Sequence, residues 1–167
     1  PDFENLGVEL KVTPFKRNKN QSLSAKERLV LNIINYMEEV NTTFDTSSFW
    51  KKNRNLLLMF YEWLPNVNRQ DFYIHKSILF QYPEEDLEVI KQDWKTIVEK
   101  MRNGKAHELS EGDTNYLGAC TKGSNKSSLR SQPFSEIKAM QRAYSLKQSY
   151  MTSLVRKYVN QEEMISF

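Results

Sequence analysis

Residues 83–104 carry the strongest periodic pattern in the chain. Apolar side chains recur there at intervals of three and four residues, at Leu87, Ile90, Trp94, Ile97, Val98 and Met101. This spacing places them on one face of an α-helix. Pro83 and the three acids after it suit a first helical turn, and Gly104 suits a helix end. The pattern predicts a long helix whose apolar face must pack against other elements.

Shorter apolar runs before this helix are typical of β-strands. Residues 6–13 alternate apolar and polar side chains, which is the pattern of a half-buried strand. Residues 29–34 and 56–61 are continuous apolar runs, and the second predicts a strand that is buried on both faces. Residues 77–81 give a weaker fourth strand, and a basic turn is expected at residues 16–20.

The chain after the long helix combines one strand with further helices. Residues 116–120 predict a strand, and residues 121–132 predict a polar loop. A short helix is expected at residues 133–140 and a longer one at residues 146–159. Strands come first and helices follow, which predicts an α+β fold with a mixed central β-sheet flanked by helices. A length of 167 residues suits a single domain.

Charge is unevenly distributed along the chain. The net charge is only +3, but residues 114–160 carry eight Lys or Arg side chains and a single acid. Residues 62–113 are acidic overall, and residues 161–167 add the acids Glu162 and Glu163. A concentrated basic stretch favours binding to a polyanion such as a nucleic acid.

The first predicted strand carries a set of residues suited to metal chemistry. Its alternation places Glu9 and Lys11 on one face. Asp2 lies seven residues before Glu9, and a turn at Gly7 would bring the two carboxylates together. Two carboxylates, with the main-chain oxygen of Leu10, are the hard ligands that Mg²⁺ prefers. Lys11 would then orient an attacking water and offset charge on a phosphate. The alternative is a surface strand on which Glu9 and Lys11 form a weak ion pair.

Several segments of the chain resemble one nuclease family. The segment PDFENLGVELKVTP (residues 1–14) resembles the first half of the PD-(D/E)XK motif of MutH and of the related restriction endonucleases that cut at GATC. The match continues, in order, through AKERLVLNIINY, FDTSSFWKKN, DWKTIVEKMRNGKAHELSEG, YLGACTKG and AYSLKQSYMTSLVRKY. The sequences of these segments are closer to those of the restriction enzymes than to that of MutH. The resemblance implies a restriction-endonuclease-like fold and a Mg²⁺-dependent nuclease that acts on double-stranded DNA containing GATC.

The resemblance also implies roles for individual residues. Asp2 and Glu9 would be the metal ligands, with Leu10 as a further main-chain ligand, and Lys11 would be the catalytic lysine. Lys52 matches a second active-site lysine, which contacts the phosphate next to the cut. Lys51 is adjacent to it, so the register leaves either lysine open.

A further set of residues is expected to contact DNA. Lys122 matches a base-contacting lysine, and a lysine suits the guanine acceptors in the major groove of GATC. Glu27 is a candidate for base contact or for support of the site, and the alternative is a surface pair with Lys26 or Arg28. Contacts to phosphates are expected from the remaining basic candidates, Lys51, Lys126, Arg130 and Lys147. Arg156 and Lys157 suit the end of a helix equally well and are not included.

The resemblance bears on domain organisation. Family members have an acidic residue before the aspartate, and some join a second, similar domain to the first. The expectation is therefore one nuclease domain over residues 1–167, the N-terminal catalytic part of a longer protein without its upstream segment. A second similar domain or a second copy is a candidate partner for cleavage of both strands, and the sequence leaves open whether one domain cuts both. Two other functions remain open, a strand-specific nicking endonuclease of mismatch repair and a non-catalytic DNA-binding module.

The remaining reactive side chains give weaker signals. His75 and His107 are isolated from each other and from any nucleophile, which favours structural roles. Cys120 is the single cysteine, so no internal disulfide is possible, and a buried thiol in a reducing compartment such as the bacterial cytoplasm is expected. No apolar run approaches the ~18 residues that a membrane helix needs, so no membrane partner is expected.

Overall fold

The computed structural model describes residues 1–159. Glu162 and Glu163, the acids expected to close the chain, lie outside these residues. The described part contains nine strands, β1 Glu9–Arg17, β2 Leu23–Ala25, β3 Leu29–Ile33, β4 Asn55–Glu62, β5 Ile74–Gln81, β6 Leu117–Thr121, β7 Leu129–Gln132, β8 Ser135–Met140 and β9 Arg142–Leu146. It also contains four α-helices, α1 Tyr36–Glu39, α2 Ser48–Asn53, α3 Glu84–Arg102 and α4 Gln148–Tyr158.

Three sheets organise these strands. The first sheet has the order β2-β1-β4-β5 and is mixed, because β1 and β4 run parallel while the outer pairs are antiparallel. Parallel strands require a crossover, and here it includes β2, β3, α1 and α2. The second sheet, β3-β9-β6, is antiparallel, and β7 pairs with β8 as a separate ribbon. The prediction of an α+β fold with a mixed sheet is confirmed.

Helices α2, α3 and α4 each lie against a strand of the first or second sheet. The predicted long helix is confirmed as α3, which lies against β6 and buries Ile90, Trp94, Ile97, Val98 and Met101. Gly104 follows it at φ +69°, where an added Cβ would approach the Phe134 carbonyl oxygen to 2.4 Å. Helix α4 confirms the last predicted helix and lies against β2, while the short α2 lies against β3. No helix among residues 1–159 is long and apolar enough to span a membrane.

One sequence prediction is wrong and two are wrong in part. The helix expected at residues 133–140 is strand β8, because Pro133 and Phe134 form a two-residue turn and β7 supplies the hydrogen-bond partners. Strand β7 occupies the end of the expected loop over residues 121–132. Strand β1 continues through Lys16 and Arg17, which the sequence placed in a turn, because both pair with β2.

Strand β4 is only partly buried on its second face. Leu56, Leu58 and Phe60 are fully buried, whereas Leu57 and Met59 are half-buried, so the prediction of burial on both faces is half correct. Cys120 is a free and buried thiol, as expected.

Candidate active site

The polar face of β1 is the buried one. Glu9 is 2% exposed and Thr13 is 1% exposed, while Val12 on the other face is 49% exposed. The parallel register explains this burial, because Glu9 and Thr13 stand beside Leu56 and Phe60 on the face that meets the core. A carboxylate is buried in this way only where other groups compensate its charge.

A tight turn returns the N-terminal segment to β1. A 3₁₀ turn over Glu4–Leu6 ends at Gly7, whose φ of +62° favours glycine, and Phe3 then bridges to Val8. The turn brings Asp2 beside the strand. The backbone N–H of Asp2 donates to Glu9 Oε2 at 3.1 Å, and the N–H of Leu10 donates to Asp2 Oδ2 at 3.0 Å.

Two lysines converge on the same oxygen of Glu9. Lys11 Nζ lies 3.1 Å from Glu9 Oε1, and Lys52 Nζ lies 3.4 Å from it. Their charges compensate the buried carboxylate. Of the two adjacent lysines that the sequence left open, the structure brings Lys52 to Glu9 and leaves Lys51 exposed.

Helix α2 sets the direction of Lys52. The Ser47 side chain caps the helix start by accepting the N–H of Trp50 at 3.1 Å. Phe49 and Asn53, one turn apart, are fully buried and fix the face that the helix turns inward. Lys52 therefore extends from the last turn towards Glu9.

A cleft of about 650 Å³ opens between β1 and the second sheet. We call it the catalytic cleft. Its walls include Lys11 from β1, Glu27 and Arg28 from the β2–β3 connection, and Lys122 from the end of β6. Glu27 is mostly exposed and lies 4.0 Å from Lys26, and Arg28 pairs with Glu111 at 2.6 Å. The predicted base-contacting residues and the predicted catalytic lysine thus line one cleft.

The other predicted DNA contacts divide into exposed and engaged side chains. Lys126 is exposed on a short turn of the loop after β6. Arg130 Nη1 donates to the carbonyl oxygens of Ser127 at 2.7 Å and Leu129 at 3.0 Å, which holds part of its guanidinium against its own loop.

Lys147 is engaged within the chain. Its ammonium donates to the carbonyl oxygens of Glu111 and Thr114 and so attaches Lys147 to the segment before β6. The same holds for two other cations of the basic stretch. Arg142 donates to the carbonyl oxygens of Ala119 and Leu109, and Arg156 Nε donates to that of Leu23 at 2.8 Å. Counting charges along the sequence therefore overstates the basic surface.

Sequence reasoning missed three polar residues at the site. Arg28 lines the catalytic cleft, but the pattern suggested it only as an ion-pair partner of Glu27. Asn32 and Asn53 bond to each other beside Lys52, and no local pattern indicates this. The histidines lie elsewhere: His75 packs edge-on against Phe15, and His107 contacts Gln132.

The residues present fit a hard divalent cation. The Asp2 N–H donates to the Glu9 carboxylate and the Asp2 carboxylate accepts the N–H of Leu10, so these two acids and the main-chain oxygen of Leu10 belong to one pair of bonded backbone segments. Within residues 1–159 no cluster of three or more acidic, His or Cys side chains is suited to a metal. A set of two carboxylates leaves positions for water, and Mg²⁺ retains several waters when it binds proteins.

Comparison with known proteins gives a consistent picture. The model of the MutH family, described as the DNA mismatch repair enzyme MutH, matches residues 1–93. The type II restriction enzyme Sau3AI of Staphylococcus aureus is 54% identical over 167 residues, which are 99% of this chain and 34% of that protein. The DNA mismatch repair protein MutH of Shewanella woodyi is 28% identical over 134 residues, 77% of this chain and 54% of that protein. The chain therefore spans about a third and about half of the lengths of these two relatives.

Proposed function

The chain belongs to the MutH family, and we propose that it is the catalytic domain of a type II restriction endonuclease that cuts double-stranded DNA at GATC. Membership in this family of nucleases implies dependence on a divalent metal, and the metal in this proposal is Mg²⁺. One observation carries the proposal: Lys11, which lines the catalytic cleft, and Lys52 converge on the buried carboxylate of Glu9, next to Asp2.

The reaction is hydrolysis of the phosphodiester before the G of GATC. Water attacks phosphorus, the bond to the 3′ oxygen breaks, and the products carry a 5′-phosphate and a 3′-hydroxyl. A divalent cation held by Asp2, Glu9 and the Leu10 carbonyl would polarise the phosphate and acidify a bound water. Lys11 orients the attacking water and balances the negative charge that develops on the phosphate oxygens. Lys52 holds the phosphate next to the cut.

Base recognition falls to the side chains that line the catalytic cleft. A lysine donates to guanine O6 and N7, and a glutamate accepts from cytosine N4, so Lys122 and Glu27 suit the two outer base pairs of GATC. Lys51, Lys126 and the free part of the Arg130 guanidinium suit phosphates, which contribute affinity without sequence information. In this proposal Lys147 has no DNA contact.

Restriction is favoured over mismatch-repair nicking by the higher identity to the restriction enzyme, 54% against 28%. Acting in the bacterial cytoplasm, the protein would then cut both strands of unmodified foreign DNA without an activating partner. Residues 1–159 offer one such site, so in this proposal the second cut comes from a second similar domain or a second copy. The acids and lysines around Glu9 argue against a purely DNA-binding module, which would have no use for them.

The test is cleavage of a plasmid that contains GATC sites, started with Mg²⁺ and followed by sequencing of the ends. We expect double-strand breaks before G with 5′-phosphate ends. Lys52→Ala should slow cutting strongly but leave a measurable single-turnover rate, whereas Lys51→Ala, its matched control on the same helix, should have only a small effect. Cuts outside GATC would overturn the specificity, and nicks confined to one strand would favour the mismatch-repair function.

A further inference from the structure

We propose that Asn32 and Asn53 are positioning residues that hold Lys52 against Glu9 and connect it to the second sheet. This inference rests on the proposed function, in which Lys52 acts on the phosphate. Neither amide lines the catalytic cleft, and neither has a direct contact with Glu9 among the bonds of the described residues.

Asn53 is fully buried and directly follows Lys52 at the end of α2. Its Nδ2 donates both hydrogens, to the Phe49 carbonyl at 3.0 Å and to Asn32 Oδ1 at 2.7 Å. Its Oδ1 has no hydrogen-bond partner among residues 1–159. A buried amide that leaves one acceptor unpaired costs stability. Its placement directly after Lys52 is therefore explained better by orientation than by stability.

Asn32, on strand β3 of the second sheet, forms hydrogen bonds to both ends of α2. Its Oδ1 accepts from Asn53, the last helical residue, and its Nδ2 donates to the Ser48 hydroxyl, at the first helical residue, at 3.1 Å. The pairing of β3 with β9 shifts register between Val30 and Ile33, the stretch that contains Asn32. Such irregularities redirect side chains and are common next to active sites.

These bonds connect the two walls of the catalytic cleft. Strand β3 shares its sheet with β6, which leads to Lys122, and residues Leu29 and Val30 of β3 line the cleft. Helix α2 leads directly into β4, which runs beside β1. When the second sheet shifts on DNA binding, the Asn32–Asn53 bond therefore transmits this shift to α2, the helix that carries Lys52.

The helix has other anchors that remain when Asn32 is replaced. Ser47 caps it, and the buried carboxylate of Glu39 accepts the N–H of Ser48 at 3.3 Å while receiving the Tyr144 hydroxyl at 2.9 Å. The variant Asn32→Leu, of similar volume, should therefore fold and lose only the connection. Asn32→Asp keeps the acceptor for Asn53, and the Ser48 hydroxyl can turn to donate to it.

The first test is a double-mutant cycle in single-turnover cleavage of a duplex containing GATC. We expect Asn32→Leu to slow cleavage by on the order of tenfold or more, because small misplacements of a catalytic group are costly, with little change in DNA affinity. Asn32→Asp should recover most of the rate. In a Lys52→Ala background, Asn32→Leu should have almost no further effect, since both changes disable the same group. Multiplicative effects would show a general structural role and overturn the inference.

The second test does not depend on cleavage. In protein labelled with ¹³C-lysine, the Lys52 Hε–Cε signal is identified by its loss in Lys52→Arg. We expect this signal to move towards the position of a free lysine in Asn32→Leu, while the Lys51 signal stays in place. Asn35→Leu, which removes only the cap of α1, should leave both signals unchanged. An unmoved Lys52 signal would overturn the inference, whereas failure of the wild type to cut would count against the proposed function alone.

Discussion

Glu9 and Asp93 lie in two different regions of the molecule, are equally buried at 2% exposure, and have opposite surroundings. Glu9, at the start of the strand that lines the catalytic cleft, receives two lysine ammoniums and one backbone N–H. Asp93, in α3, receives the backbone N–H groups of Asn115, Tyr116 and Leu117 at 2.9, 2.6 and 2.9 Å. Burial alone therefore does not distinguish a functional carboxylate from a structural one.

The groups that donate to each carboxylate distinguish Glu9 from Asp93. Main-chain N–H groups are fixed and neutral, so they saturate Asp93 and attach the start of β6 to α3 permanently. Lysine side chains are long and charged, and they move when a cation or a phosphate enters the cleft. A buried charge with such partners is retained at a cost in stability, which is reasonable where the charge has chemistry to perform.

The largest effect is expected from Glu9→Gln. The change removes a proposed metal ligand and the partner of both lysines, so the single-turnover rate on a GATC duplex should fall on the order of a thousandfold or more. The unfolding free energy should change by less than about 1 kcal/mol, because a costly buried charge is removed together with its partners' attraction. Urea denaturation measures the second quantity. A variant that cuts at the wild-type rate would remove Glu9 from the site.

Asp93→Asn should show the reverse pattern. The amide presents an NH₂ group to backbone donors, so the free energy of unfolding should fall by about 2–3 kcal/mol. The cleavage rate of the folded protein should stay close to that of the wild type. Loss of activity at full stability would contradict the separation of the two carboxylates.

The distinction between a functional and a structural role also applies to Lys122 and Lys147, two cations of the basic stretch. Lys122→Ala should weaken binding to a GATC duplex by about 1–3 kcal/mol and relax the preference for that sequence. Lys147→Ala, its matched control, loses bonds to two carbonyls and should lower the unfolding free energy by about 1–2 kcal/mol. Its affinity should keep the wild-type salt dependence, measured by fluorescence anisotropy. A shallower salt slope for Lys147→Ala would return that residue to the DNA interface.

Asp113 accepts from a lysine ammonium and from a backbone N–H, and its replacement should have the smallest effect on stability. Burial raises the pKa of this carboxyl, but the Lys100 ammonium at 2.7 Å, the Ser110 N–H and the charge of Arg142 together hold the pKa below its ordinary value of 3.8. Because the folded state has the lower pKa, Asp113 stabilises the protein at neutral pH and loses this contribution as the pH falls below 3.8. Asp113→Asn should cost less than about 1 kcal/mol at pH 7. In denaturation curves the difference should shrink in acid, and a constant difference would argue against this origin.

Local pattern predicted much of the fold. The spacing of Ile90, Trp94 and Ile97 identified α3, and apolar runs identified β3 and β4, because these signals depend on neighbours in the chain. Strand β8 was missed because a partner strand, which no local pattern shows, decides its conformation.

The candidate site divides in the same way. Gly7 and the spacing of Asp2 and Glu9 indicated a turn, and the structure contains that turn and a bond from the Asp2 backbone N–H to the Glu9 carboxylate. The choice of Lys52 over Lys51 depends on the burial of Phe49 and Asn53, which is set by contacts distant in sequence. The carbonyl partners of Lys147 come from residues more than thirty positions away, so its sequence indicated only a free cation.

The most direct test of the contrast between the two carboxylates is the binding of Mn²⁺, followed by the loss of its free signal in electron paramagnetic resonance. Mn²⁺ accepts the same oxygen ligands as Mg²⁺. We predict that the wild type and Asp93→Asn bind Mn²⁺ with similar affinity and that Glu9→Gln binds it at least about tenfold more weakly. Wild-type affinity in Glu9→Gln, or its loss in folded Asp93→Asn, would contradict the assignment of Glu9 as the metal-binding carboxylate.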